Sequence, residues 1–165
     1  MAYDAFLEFT PKVEGESTAE GMSGIIDVFS FGWGLSNATT DIGSGAAGGR
    51  ADFGPLNITK KTDKSSPVLM KACATGEHYD KARLILRKAT GKDQQQQQFV
   101  VYTLTGAFIS SFSLSGASGG DTTPNESIAI DYATVKFEYW YQDAKGKMTA
   151  ASSFEYDLVK RKATA

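Results

Sequence analysis

Cys73 and His78 are the residues best equipped for chemistry in this chain, and each is the only one of its kind among 165 residues. A thiol followed closely by an imidazole could make a nucleophile–base pair or give two ligands to a metal. Neither arrangement can be completed. A metal site needs three or four ligands, and no second thiol or imidazole is present to supply them. Cys73 also falls on an apolar stripe, where a small buried hydrophobe is the ordinary role. Gly43, Gly45 and Gly48 match the letters of a dinucleotide-binding fingerprint, but that motif works only when a helix N-terminus follows to meet the pyrophosphate. Here Gly54 and Pro55 follow and break any helix, so the segment reads as a loop. There is no Gly-x-Ser-x-Gly elbow, and no carboxylate pair stands in an acid–base motif. The expectation is a protein with no catalytic residue, no cofactor and no metal.

Charge narrows the partners. Lys and Arg number 17 against 19 Asp and Glu, a formal net charge of −2. A polyanion binder is normally far more basic, which argues against nucleic acid and anionic membranes. No apolar run approaches the ~18 residues of a membrane span, and Met1-Ala2-Tyr3-Asp4 does not begin like a signal peptide. The near-neutral total hides an asymmetry. Asp4, Glu8, Glu14, Glu16, Glu20 and Asp27 make the N-terminal region acidic, whereas Lys81, Arg83, Arg87, Lys88 and Lys92 form a basic stripe. Solvated faces are one explanation. The other is a head-to-tail contact between copies, which needs two different patches, with Arg83 and Arg87 as candidate inter-subunit charges.

The positioning elements are mostly strands. One segment is helical in pattern: Pro67 suits a first helical position after a Ser66 cap, Val68, Leu69, Ala72 and Cys73 make one stripe, and Gly76 stands where a left-handed stop belongs. That predicts a helix of about ten residues. Elsewhere apolar and polar residues alternate with period two over 3–9, 25–33, 53–60, 79–89, 99–114, 133–141 and 154–158, or about seven or eight strands. Ile128 and Ile130 lie on the opposite parity from Val135 and Phe137, which predicts a bulge near Asp131 and Tyr132 or burial of both faces. Trp140, Tyr132 and Tyr3 fall opposite the apolar parity of their strands. A neighbour pressed on the outside or a thicker core would each explain them. The glutamine run 94–98 extends a strand or forms a polar hairpin tip. Long half-buried strands in so short a chain favour closure over open edges. The expected fold is mainly β: one domain over 1–165, a small closed β-barrel of two packed antiparallel sheets, one short flanking α-helix and an extended Gly-rich loop.

An ordered series of segments then becomes distinctive. Gly15-Glu16-Ser17-Thr18 is followed by Ser30-Phe31-Gly32-Trp33-Gly34-Leu35-Ser36. Next come Thr59-Lys60-Lys61-Thr62-Asp63-Lys64-Ser65-Ser66-Pro67, Ala72-Cys73-Ala74-Thr75-Gly76-Glu77-His78, Leu86-Arg87-Lys88-Ala89, Ser110-Ser111 with Gly119-Gly120-Asp121, and finally Pro124-Asn125-Glu126-Ser127-Ile128. In this order they resemble the haemolysin-coregulated protein (Hcp) family, the inner-tube subunits of type VI secretion systems. The resemblance covers nearly the whole chain. It implies a homohexameric ring with an open channel, rings stacked into a tube, a contractile sheath around it and a trimeric spike at its tip. It also implies small effector proteins held in the lumen, and secretion from the cytoplasm without a cleaved signal peptide. The segment 37–49 resembles the family's extended loop, which makes Asn37, Asp41, Gly43, Gly45, Gly48 and Gly49 candidate ring contacts. Gly32 stands where many relatives carry a lumen-facing serine. A contractile-phage-like tail tube protein shares this architecture, and a monomeric ligand-binding barrel using Trp33 or Trp140 is the alternative from another class.

Overall fold

A computed structural model describes residues 2–38, 49–90 and 95–164. Among these the strands are β1 (Asp4–Thr10), β2 (Ile26–Val28), β3 (Ser30–Gly32), β4 (Leu35–Asn37), β5 (Ala51–Phe53) and β6 (Leu56–Lys61), before the single helix α1 (Ser66–Thr75). After it come β7 (His78–Thr90), β8 (Gln95–Ser115), β9 (Asn125–Asp131), β10 (Thr134–Gln142), β11 (Met148–Ala150), β12 (Phe154–Asp157) and β13 (Lys162–Ala163). All pairings are antiparallel, in one large sheet and a two-stranded ribbon, β4–β5.

The ladders run in a circuit. β1 pairs β7, β7 pairs β8, β8 pairs β9, β9 pairs β6 and β6 pairs β3. Only Phe29 separates β3 from β2, and β2 returns to β1. Closure of this kind leaves no long open edge in the circuit. β8 serves two partners because it turns at Gly106, whose φ is +61°. Residues 100–105 pair with β10, and residues from Phe108 onward pair with β9. A side chain at Gly106 would also press on the Ala133 methyl at 3.1 Å, so glycine suits both the bend and the contact. The expected bulge near Asp131 is in fact this corner. β9 ends at Asp131, β10 begins at Thr134, and the residues between them switch halves of β8, which flips the parity.

Ala5, Leu7 and Phe9 of β1 face the main core with Leu84, Leu104, Ile58 and Ile130. Full burial of each large aliphatic side chain contributes about 1.5–3 kcal/mol. Phe6, on the other parity, joins Ile85, Val101 and Met22 in a second, smaller cluster against which Trp140 and Ile25 pack. Trp140 is thus explained by a thicker core, as is Tyr132, which is buried. Tyr3 remains half exposed, edge-on to Phe31 and Phe99.

The helix has the expected length, but its cap is Ser65, with Ser66 as the first helical residue. Asp63 organises the entry: its carboxylate accepts the Ser65 N–H at 2.9 Å, and its own N–H donates to Ser66 Oγ at 3.0 Å. Gly76 ends the helix at φ +67°. Ser66, Leu69 and Ala72 are buried, whereas Val68 points outward, so the buried stripe is narrower than the sequence pattern suggested.

Candidate functional site

Strands β3, β6, β9 and β8 lie side by side, and their registers place two rows of residues on the face turned away from the core. Ser30 stands opposite Thr59, Thr59 opposite Ser127, and Ser127 opposite Ser113. In the next row Gly32 stands opposite Asn57, Asn57 opposite Ala129, and Ala129 opposite Ser111. Alternation fixes this composition, because the intervening positions Phe31, Ile58, Ile128 and Phe112 belong to the core side. The result is a shallow concavity of about 330 Å³ whose two rows supply hydroxyls, one amide, Gly32 and Ala129, with Phe31, Ile58 and Ile128 also bordering it. Ser30 and Thr59 hydrogen-bond to each other, and Ser110 Oγ donates to the Ala129 carbonyl at 3.3 Å. A Cβ built on Gly32 would meet nothing within 4 Å, so this position opens on free space.

No side chain in these two rows is charged or titratable near neutral pH. Such a face offers weak, exchangeable hydrogen bonds and no acid, base or nucleophile pair. Among the described residues no group of His, Cys, Asp and Glu is placed to hold a metal ion. Cys73 is half-buried against the core, and His78 lies exposed at the start of β7, edge-on to Phe108 at 5.1 Å.

The face is braced from behind by aromatics. Trp33 lies edge-on to Tyr102 at 5.6 Å and tilted on Phe53 at 6.2 Å. Its indole N–H donates to Tyr132 Oη at 2.7 Å, and Tyr132 donates in turn to the Gly54 carbonyl at 2.7 Å. Burial pushes the Tyr132 phenol above its usual range; the Trp33 hydrogen bond opposes this and the Asp131 charge adds to it. Burial also raises Tyr102, and raises Tyr79 with help from Glu77. These acids are harder to ionise folded than unfolded. Their contribution is complete below pH ~10 and declines above it as the unfolded chain loses protons first. Urea midpoints are expected to be flat from pH 7 to 9 and to fall above about pH 10; Tyr132→Phe should make that alkaline fall shallower.

The acidic and basic stripes meet within the chain. Glu8 is the register partner of Arg83 across β1 and β7, and their charged atoms lie 3.2 Å apart. Arg87 donates to the carbonyls of Glu20 at 2.8 Å and Gln96 at 2.6 Å. Among the described residues Glu8 and Arg83 form the one ion pair between the two stripes. Of the candidate loop contacts, Asn37 is exposed at the end of β4 and Gly49 lies just before β5. Asp41, Gly43, Gly45 and Gly48 lie outside the described residues. The ribbon β4–β5 forms the base of that loop.

Two features escaped the sequence. The paired rows of small polar residues needed the registers. The buried ion pair of Lys60 and Glu126, 2.8 Å apart, did leave a signal. Leu56, Ile58 and Lys60 share one inward parity, as do Glu126, Ile128 and Ile130, and the two series end on opposite charges in register.

Known proteins agree on what carries this architecture. The family described as "Type VI secretion system effector, Hcp" matches residues 6–139. The chain belongs to the Hcp family. Protein hcp1 of Pseudomonas aeruginosa is 41% identical over 91 residues, and the match spans 55% of this chain and 54% of that relative, about half its length. A solved structure of a type six secretion system protein superposes with a TM-score of 0.88 at 32% identity, covering 99% of this chain and 100% of that one. Hcp1 from Salmonella typhimurium gives 0.76 at 30% identity, covering 99% of both. Hcp proteins are structural components of type VI secretion and not enzymes.

Proposed function

We propose that this Hcp protein is the repeating unit of a secreted tube. Six copies close into a ring with an open channel, rings stack, a contractile sheath surrounds the tube and a trimeric spike caps it. The protein is cytoplasmic until the tube is driven out. The observation that carries this reading is the two-row face of β3, β6, β9 and β8. A channel wall must let a folded passenger sit and leave. Hydroxyls and a glycine give many weak contacts and no strong one, whereas a ring of charges, repeated six times, would select or trap by sign. Small effector proteins are the passengers that such a wall suits. Gly32 widens the channel where a side chain would narrow it. The ribbon β4–β5 meets a neighbouring ring, through Asn37 at its end and Gly49 just before β5. Arg83 and Arg87 retain a secondary part at the ring contact through the guanidinium surface their intrachain partners leave free.

A charge in the wall tests the assignment. Ser113→Arg and Ser127→Arg should leave ring mass unchanged while altering which effectors are retained and exported, measured by co-purification and by secretion into the medium. Rings that fall apart would make this face a contact surface, and unchanged cargo retention would remove it from the channel.

A further inference from the structure

Among the described residues Phe29 and Val159 are the most exposed of the bulky apolar side chains. The order β13–β12–β10–β8–β7–β1–β2 places the turn between β12 and β13 at one end and the β2–β3 junction at the other. At the first end Val159 is 76% exposed, and at the second Phe29 is 79% exposed. Neither is accidental. Asp157 Oδ1 accepts the N–H groups of both Val159 and Lys160 at 2.9 Å, and Arg161 completes the turn at φ +56°. A fixed knob results, an apolar tip followed by Lys160, Arg161 and Lys162. Phe29 is fixed as well: its N–H donates to the Thr59 carbonyl at 2.8 Å, which turns the ring outward as the chain passes from β2 to β3. It borders a concavity of about 500 Å³ that includes Tyr3 and Phe31 as apolar wall and Asp4 and Asp27 as acidic rim.

We infer that these two ends are the halves of one lateral contact, in which the Val159–Lys162 turn of one copy seats in the Phe29–Tyr3 groove of the next, with its lysines against the Asp27 side. The inference rests on the ring reading and names the surfaces that make the ring. The occupant is set by complementarity. A groove with aromatic walls and an acidic rim requires an apolar tip with cationic flanks, and the chain presents one. Position supports the same pairing. A heterologous contact joins two different patches, and two unlike patches on one copy let copies follow head to tail until the rotation closes. Aromatic anchors such as Phe29 and Tyr3 are the type that dominates contact energy, and cations at the rim set registration and rate.

The test uses the full chain, with mass followed against concentration by light scattering and native mass spectrometry. Wild-type protein should show the ring. Phe29→Ser and Lys160→Glu should each raise the dissociating concentration by at least about tenfold. Asp27→Lys should act likewise, and Asp27→Lys combined with Lys160→Glu should assemble better than either single variant. All three positions are exposed, so circular dichroism should match wild type. Wild-type rings with unchanged single variants, or a double variant weaker than both singles, would overturn the contact and leave the ring reading standing. A wild-type chain that never assembles would overturn both.

Discussion

Lys60→Met is expected to destabilise the fold by about 3–5 kcal/mol, the cost of stranding a buried charge. Lys60 and Glu126 are both fully buried side chains, 2.8 Å apart on adjacent strands. The ammonium also reaches Asp63 at 2.9 Å, the Lys61 carbonyl at 2.9 Å and Ser66 Oγ at 3.1 Å. It thereby ties β6 and β9 to the first turn of α1. Methionine fills similar space but leaves the Glu126 carboxylate in a dry environment with nothing opposite. Lys60→Met combined with Glu126→Leu should recover part of the loss, because it removes the stranded Glu126 carboxylate while Asp63, which also loses its cation, keeps its Ser65 hydrogen bonds. Urea denaturation measures both. A single variant within about 1 kcal/mol of wild type would show that Glu126 is hydrated or otherwise compensated.

Trp33→Ala should cost about 2–3 kcal/mol, below the ~3–5 kcal/mol of a fully buried aromatic because Trp33 is partly buried. The residue follows Gly32 directly, so its loss would act on the candidate channel wall as well as on stability. Removal opens a void between Phe53 and Tyr102 and takes away the donor to Tyr132. Trp33→Phe should restore part of the packing and none of the hydrogen bond, and so fall between the two. A thermal midpoint for Trp33→Ala equal to wild type would mean that the wall is held from elsewhere.

Much of the architecture was legible because alternation with period two is a direct signature of strands buried on one face. The helix, too, was bounded by Pro67 and Gly76, whose backbone preferences act locally. Whatever depends on two distant segments was less accessible. Ser30, Thr59, Ser127 and Ser113 become a row only once the registers of β3, β6, β9 and β8 are set. The parity flip at Asp131 could not reveal by itself that β8 bends at Gly106 and changes partners. Arg83 was visible as a charge but not as the cross-strand neighbour of Glu8, since that pairing spans β1 and β7. Gly32 was singled out by resemblance alone, and the registers place it in one row with Asn57, Ala129 and Ser111.

The small polar wall, the circuit of strands and the two apolar ends all serve one claim, that copies of this chain assemble around an open channel. Electron micrographs of the purified full chain, with native mass measured on the same sample, test it most directly. The expected result is six-fold rings with an open centre and a mass six times that of the 17.7 kDa chain. A species of single-chain mass at every concentration, with no rings in the images, would contradict it.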